Sequence, residues 1–102
     1  MTQKSAQSPA QDAYRRYTQA RRRHWDMVAA RKDSWRSLGE AYHKRLEAVY
    51  RHIVSPNQRV LEIGCGTGDL LAALTPSFGM GVDFSRQMIE RARKRHPGLH
   101  FL

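Results

Sequence analysis

The stretch that decides the fold runs from Val60 to Leu71 and reads V-L-E-I-G-C-G-T-G-D-L-L. An apolar run suited to a buried strand enters it, glycines stand at positions 64, 66 and 68, and an amphipathic segment leaves it. This pattern predicts a strand that turns into a helix through a loop whose backbone comes close to a ligand, because glycine lacks the Cβ that would block the approach. The helix would aim its unpaired N–H groups at the same space. The stretch therefore predicts a small-molecule site.

The spacing of the glycines separates this loop from two other nucleotide-binding loops. A phosphate-binding NTPase loop carries Lys-Ser or Lys-Thr after its last glycine, whereas Asp69-Leu70 follows here. A dinucleotide-binding fingerprint needs its third glycine at position 69, which is also Asp69, so a nicotinamide-dependent oxidoreductase is the weaker alternative. The negative charge there favours a ligand that carries an amine or another positive charge.

Residues 59–102 resemble the opening of a class I S-adenosylmethionine (SAM)-dependent methyltransferase. The matching pieces are V-L-E-I-G-C-G-T-G at 60–68, G-V-D-F-S at 81–85 and the helical R-Q-M-I-E-R-A-R at 86–93. The resemblance covers the last 44 of the 102 residues and implies a Rossmann-like, doubly wound parallel sheet of seven strands. The chain would supply two strands and the start of a third, so we expect an N-terminal fragment, inactive alone, whose first strand keeps an open edge and a half-covered face. The alternative is a complete small domain that dimerises to cover this edge.

The resemblance implies that the loop and the end of the second strand hold SAM. The ribose diol needs an acceptor for two hydroxyl protons, and Asp83 stands where the second strand would end; the alternative is an Asp that caps the next helix in competition with Ser85. Glu62 would hold the amino-acid part or only brace the loop, and Phe84 would lie along the adenine or in the core. The cofactor-binding residues implied are Glu62, Gly64, Cys65, Gly66, Gly68, Asp83 and Phe84.

Other polar residues give less information about chemistry. Asp69 is interpreted as the N-cap of its helix, with contact to a ligand ammonium as the alternative. Cys65 has no evident base beside it, so its small size explains it better than a nucleophilic role does. The histidines show no pairing that suggests a metal site. The catalytic residues are unknown, because the acceptor-side residues of the family follow later strands, beyond Leu102.

Patterning divides the chain into three parts. Residues 1–12 are polar and predict a disordered lead-in. Residues 13–58 predict a basic helical segment, with one helix over 13–32 and a second from about Ser34 to Val54. The apolar stripe of the second helix makes Tyr42 a core residue and His43 a surface residue, with contact to a substrate as the alternative for both. Residues 59–102 predict an α/β unit. Its expected elements are strands at Arg59–Ile63, Met80–Asp83 and Leu99–Leu102, and helices at Asp69–Leu74 and, capped by Ser85, Arg86–His96.

Charge is concentrated outside the glycine loop. The chain has 18 Lys and Arg against 9 Asp and Glu, a net charge of +9, and residues 1–58 hold 12 of the basic and 5 of the acidic residues. Arginines among aromatic side chains could bind nucleic acid or lipid, or they could be a solvated face whose stems cover apolar surface. The arginines concerned are Arg15, Arg16, Arg21, Arg22 and Arg23.

The remaining composition bears on location. A single cysteine excludes an internal disulfide and fits a reducing cytoplasm. The polar N-terminus lacks the hydrophobic segment of a secretion signal. No apolar run reaches the roughly 18 residues of a membrane span. We therefore expect a cytoplasmic protein.

Overall fold

A computed structural model describes residues 6–32 and 38–102, in which two helices precede a strand-helix alternation. This confirms the α/β class. None of the described helices is long and apolar enough to cross a membrane. The elements are α1 (Pro9–Lys32), α2 (Leu38–Ile53), β1 (Arg59–Ile63), α3 (Asp69–Ala73), β2 (Phe78–Val82), α4 (Arg86–Arg95) and β3 (His100–Phe101).

The first helix begins at Pro9, four residues before the predicted start at position 13. The Ser8 N–H donates to Gln11 Oε1 at 3.0 Å, and the Gln11 N–H donates to Ser8 Oγ at 3.3 Å. This reciprocal capping box satisfies the N–H groups of Ser8 and Gln11, and Pro9 at the first helical position has no N–H that needs a partner. The predicted lead-in over residues 1–12 is therefore wrong for residues 9–12, and residues 1–5 lie outside the described residues.

The sheet is parallel and has the order β1-β2-β3. Arg59 pairs with Phe78 and Ile63 pairs with Val82, so β1 and β2 are in register over their whole length. The carboxyl ends of parallel strands lie at one edge of a sheet. The register consequently places the loop after β1 beside the residues that follow Val82.

The core lies where α3 and α4 pack on the sheet. A Cβ added to Gly81 in β2 would lie 2.7 Å from the Cys65 sulfur and 2.8 Å from the Phe101 ring, so the glycine leaves the space that these side chains fill. The buried cluster consists of Cys65, Leu71, Ile89, Ala92 and Phe101, with Val60 and Leu99 partly buried against it.

The remaining surface of β1 is uncovered. Leu61 is 59% exposed and Ile63 is 83% exposed, and among the described residues β1 pairs only with β2. The expected open edge and half-covered face are confirmed. Among the described residues, only the face of β1 that bears Val60 has elements packed against it.

The second helix rests on α3 rather than over the sheet. The Arg51 Nε donates to the Ala73 carbonyl at 3.0 Å. Tyr42 is 65% exposed and Ile53 is 70% exposed, so the predicted core position of Tyr42 is wrong. The predicted start of this helix near Ser34, with its caps, lies outside the described residues.

Candidate functional site

The loop between β1 and α3 is held open by glycines in left-handed conformations. The φ angles are 77° at Gly64, 56° at Gly66 and 80° at Gly68. The N–H groups of Gly64 and Cys65 both donate to the Val82 carbonyl, at 2.7 and 3.0 Å, which anchors the loop on the end of β2. A Cβ added to Gly64 or Gly66 would meet no atom within 4 Å. The loop thus presents its backbone to open space, as a ligand-binding loop requires.

Asp83 joins the two loops at the carboxyl edge of the sheet. Its Oδ2 accepts the Gly66 N–H at 2.8 Å, and its Oδ1 accepts the Ser85 N–H at 2.8 Å. The cap of α4 is Ser85, whose Oγ accepts the Met88 N–H at 3.2 Å, as the sequence predicted. Because each carboxylate oxygen has two lone pairs, Asp83 can still accept hydrogen bonds from a ligand.

Glu62 is a half-buried carboxyl of β1 that faces the same space. Burial, with a further contribution from the charge of Asp83, raises the pKa of Glu62 to about 7, and a hydrogen bond from the Leu71 backbone opposes the rise. Within the part of the chain that the structure describes, Glu62 Oε2 is the buried side-chain oxygen or nitrogen that lacks a hydrogen-bond partner. A buried acceptor without a partner is a place where a donor group of a ligand can bind.

Cys65 is a packing residue of the loop. Its side chain is 6% exposed, and burial, followed by the charges of Asp83 and Glu62, raises the pKa of the thiol to about 12. The thiol is therefore protonated at neutral pH and unsuited to nucleophilic attack. This environment agrees with the interpretation of Cys65 as a small residue without a nucleophilic role, which stays a prediction.

The loop opens into a cavity of about 780 Å³, a volume within the usual range of small-molecule sites. One wall is the carboxyl edge of the sheet, and α1 and α2 form the others. His43, which is exposed as predicted, lies on the α2 wall. The lining includes Glu62, Gly64, Cys65, Gly66, Asp83 and Phe84 from the sheet edge, Trp25 and Val28 from α1, and His43, Leu46 and Tyr50 from α2.

Phe84 lies at the cavity rather than in the core. It is 57% exposed, and the guanidinium of Arg22 lies 5.7 Å from its ring centroid. The alternative of a plain core phenylalanine is therefore wrong. The ring remains available to a flat ligand on this side of the site.

Asp69 does not cap α3. The N-cap is Gly68, without a side-chain hydrogen bond, and Asp69 instead interacts with the end of α4. Its Oδ1 lies 2.7 Å from His96 Nε2, and its Oδ2 lies 3.2 Å from Arg95 Nη2. The N-cap interpretation is wrong, because two basic side chains 26 and 27 residues further along the chain compete for the carboxylate.

Asp26 in α1 is a residue whose role the sequence analysis missed. Its Oδ1 accepts a hydrogen bond from Ser85 Oγ and lies 3.4 Å from the Gln87 N–H, which also donates to it. These bonds attach the middle of α1 to the start of α4. The partners are 59 and 61 residues away, so no local pattern could have found them; the available signal was an acid within a run of arginines.

Comparison with known proteins finds relatives for the second part of the chain. A family model described as "Methyltransferase domain" matches residues 60–102. The malonyl-(acyl-carrier protein) O-methyltransferase of Anoxybacillus flavithermus is 41% identical over 56 residues, which cover 51% of this chain and 22% of that protein. The chain thus spans about a fifth of this curated relative.

Solved structures support the same fold. The YcgJ protein of Bacillus subtilis is similar with a TM-score of 0.54 and 23% identity, over 59% of this chain and 30% of that one. A chain from the complex between the Haloferax volcanii Trm112 methyltransferase activator and a methyltransferase is similar with a TM-score of 0.55 and 25% identity. The match covers 76% of this chain and 37% of that one. The fold is that of a Rossmann-like α/β unit. Residues 60–102 are similar to the methyltransferase domain family, and the resemblance to class I SAM-dependent methyltransferases is confirmed.

Proposed function

We propose that this chain binds SAM through the loop at 64–68 and Asp83, as the cofactor-binding part of a methyltransferase whose acceptor is unknown. The observation that carries the proposal is the open backbone of Gly64 and Gly66 directly beside the Asp83 carboxylate, at the mouth of the cavity. The family match over residues 60–102 supports it, because the matched segment contains both features.

The chemistry of SAM matches the groups around the cavity. Its ammonium group can donate to the unpartnered oxygen of Glu62, and its ribose diol can donate to Asp83. Its adenine can lie on Phe84. The methyl carbon of the sulfonium is already activated, so catalysis consists mainly of orienting an acceptor for in-line displacement and removing its proton where needed.

Titration calorimetry with S-adenosylhomocysteine tests the proposal. We expect the chain to bind this ligand and Asp83→Ala to weaken binding more than tenfold, since the variant loses both the diol acceptor and the anchor of the Gly66 N–H. Glu90→Ala is the matched control, because this exposed carboxyl of α4 contacts Arg86 and lies outside the cavity. Unchanged affinity in Asp83→Ala, or preferential binding of NADH, would refute the assignment.

A ligand variant separates the two roles of Asp83. The 2′-deoxyribose analogue of S-adenosylhomocysteine should bind the wild type more weakly than the parent ligand does, while Asp83→Ala should bind both ligands equally. The interaction energy of this cycle isolates the contact between the carboxylate and the diol. A penalty that is the same in both proteins would assign Asp83 to loop anchoring alone.

We further propose that the 102-residue chain does not transfer methyl groups alone. Among the described residues the sheet ends at β1, whose edge and outer face are uncovered. The side chains assigned above, Glu62, Asp83 and Phe84, are all proposed to bind the cofactor, and none is assigned to the acceptor. Incubation with methyl-labelled SAM and extracts containing candidate acceptors tests this. Transfer of label above that of a heat-treated control would contradict it. The cytoplasmic location stays a prediction.

A nucleic-acid partner for α1 is the second candidate. Residues 9–17 are exposed throughout, and Arg15 and Arg16 project from this half of the helix. If the helix binds phosphates, the logarithm of the binding constant should fall linearly with the logarithm of the salt concentration. The slope should become smaller when arginines are removed. Fluorescence anisotropy with labelled RNA and DNA, with Arg15→Gln/Arg16→Gln as the variant, would test it; salt-independent or absent binding would dispose of this candidate.

A further inference from the structure

The N-terminal helix forms part of the cavity wall. Trp25 and Val28 line the cavity, and the next residue of that face, Ala29, is fully buried. Trp25 is 38% exposed, whereas Tyr14 and Tyr17 on the same helix are 68% and 65% exposed. Trp25 is therefore less exposed than the tyrosines in the first half of α1, and it lines the cavity.

A continuous set of hydrogen bonds fixes α1 in this position. Asp26, next to Trp25, accepts from the hydroxyl of the fully buried Ser85. The N–H of Ser85 donates in turn to Asp83 Oδ1, the carboxylate assigned to the ribose. The Asp26 carboxylate also lies at the N-terminus of α4, where a negative charge is stabilised by the helix dipole. The wall from α1 and the proposed ribose site are thus parts of one network.

A second contact joins α1 to the same loop. The Arg22 guanidinium lies 5.7 Å from the centroid of the Phe84 ring, and Arg21 lies 5.9 Å from that of Trp25. Each cation covers an aromatic ring that lines the cavity. The contact of Arg22 with Phe84 joins α1 to the segment after β2, whereas the contact of Arg21 with Trp25 lies within α1.

We propose that Trp25 contacts the bound cofactor and that Asp26 is the positioning residue that holds Trp25 at the cavity. The proposal rests on the proposed binding of SAM and adds an aromatic wall from outside the 60–102 domain match. An indole ring presents a flat apolar face with a negative quadrupole, which suits either the purine or the sulfonium of SAM.

Tryptophan fluorescence gives a direct test. The chain has two tryptophans, so Trp35→Phe leaves Trp25 as the single reporter. Titration with S-adenosylhomocysteine should change the emission of Trp25 along a saturation curve that gives the same dissociation constant as calorimetry. Emission that stays constant at saturating ligand would overturn the proposal.

Affinity measurements on α1 variants give the second test. Trp25→Ala should weaken binding by about 3- to 10-fold, the worth of one aromatic contact, and Trp25→Phe should retain most of the affinity. Asp26→Ala should weaken binding to a similar extent and reduce the emission change. Asp26→Asn should restore much of both, because its amide oxygen still accepts the Ser85 hydroxyl. Tyr17→Ala, an equal truncation on the exposed part of α1, should bind as the wild type does.

The outcomes separate this proposal from the proposed function. Loss of binding in Asp83→Ala with wild-type affinity in Trp25→Ala and Asp26→Ala would overturn the role of α1 and leave the SAM site standing. Absence of any binding by the folded wild type would overturn both. Circular dichroism checks that each variant keeps its helix content. If Asp26→Ala loses helix, the comparison of Asp26→Asn with Tyr17→Ala and the Trp25 emission decide the question.

Discussion

The buried oxygen of Glu62 makes stability depend on pH in a definite direction. Burial raises the pKa of this carboxyl from 4.5 to about 7 in the folded chain. A rise of this size corresponds to about 3 kcal/mol, and to about 1–2 kcal/mol after allowance for solvent screening of a half-buried group. Glu62→Gln keeps the size of the side chain and the acceptor for the Leu71 N–H while removing the charge. We therefore expect it to be the more stable protein at pH 8.

The sign follows from proton binding. Between pH 4.5 and 7 the folded state holds a proton on Glu62 that the unfolded chain has released, so the free energy of unfolding falls as the pH rises through this window. Below pH 4.5 both states are protonated and the penalty is absent. Urea unfolding measures the free energy of unfolding of Glu62→Gln and of the wild type at pH 5 and at pH 8. The advantage of Glu62→Gln in this free energy should be larger at pH 8 than at pH 5 by about 1 kcal/mol or more.

The control for this experiment is Glu90→Gln on the exposed face of α4. Its effect on the free energy of unfolding should be small at both pH values, because exposed ion pairs contribute little. A Glu62→Gln difference that is equal at pH 5 and pH 8 would refute the assignment of a raised pKa.

Two further predictions concern packing around the loop. Gly68→Ala should lower the free energy of unfolding by roughly 3 kcal/mol, because its Cβ would lie 2.6 Å from the Phe101 ring and its φ is 80°. Gly98→Ala should change the free energy of unfolding by less than about 1 kcal/mol in the same urea experiment. Its Cβ would meet no atom within 4 Å, and its φ lies outside the left-handed region. Equal effects of the two substitutions would contradict this account. The Cys65 thiol should react with iodoacetamide at pH 8 much more slowly in the folded chain than in urea, since burial raises its pKa to about 12; equal rates by mass spectrometry would refute it.

Structural roles that depend on residues close in the sequence were predicted correctly. Ser85 caps α4 through a residue three positions away, and β1 occupies the predicted residues 59–63. The capping box of Ser8 and Gln11 is equally local, and its spacing was present in the sequence. The polar composition of residues 1–12 was a poorer guide than this pair of residues.

Roles set by distant partners could not be predicted in the same way. Asp69 has the residue type and position of an N-cap, but His96 lies 27 residues away and binds its carboxylate. Asp26 resembles any acid on a charged helix until Ser85 is brought against it. The glycine loop and Asp83 were predictable because the alternation of strands and helices places both at one edge of a parallel sheet.

The two hydrogen bonds of Asp83 have a consequence for the thermodynamics of binding. Three glycines with positive φ would sample many conformations in a free loop, and fixing them at the moment of binding would cost entropy. The Gly66 N–H is already bound to Asp83, and Gly64 and Cys65 are already bound to Val82, so this entropy is lost when the chain folds. A ligand that enters the cavity meets a preorganised loop, and its affinity reflects contacts formed rather than backbone ordered.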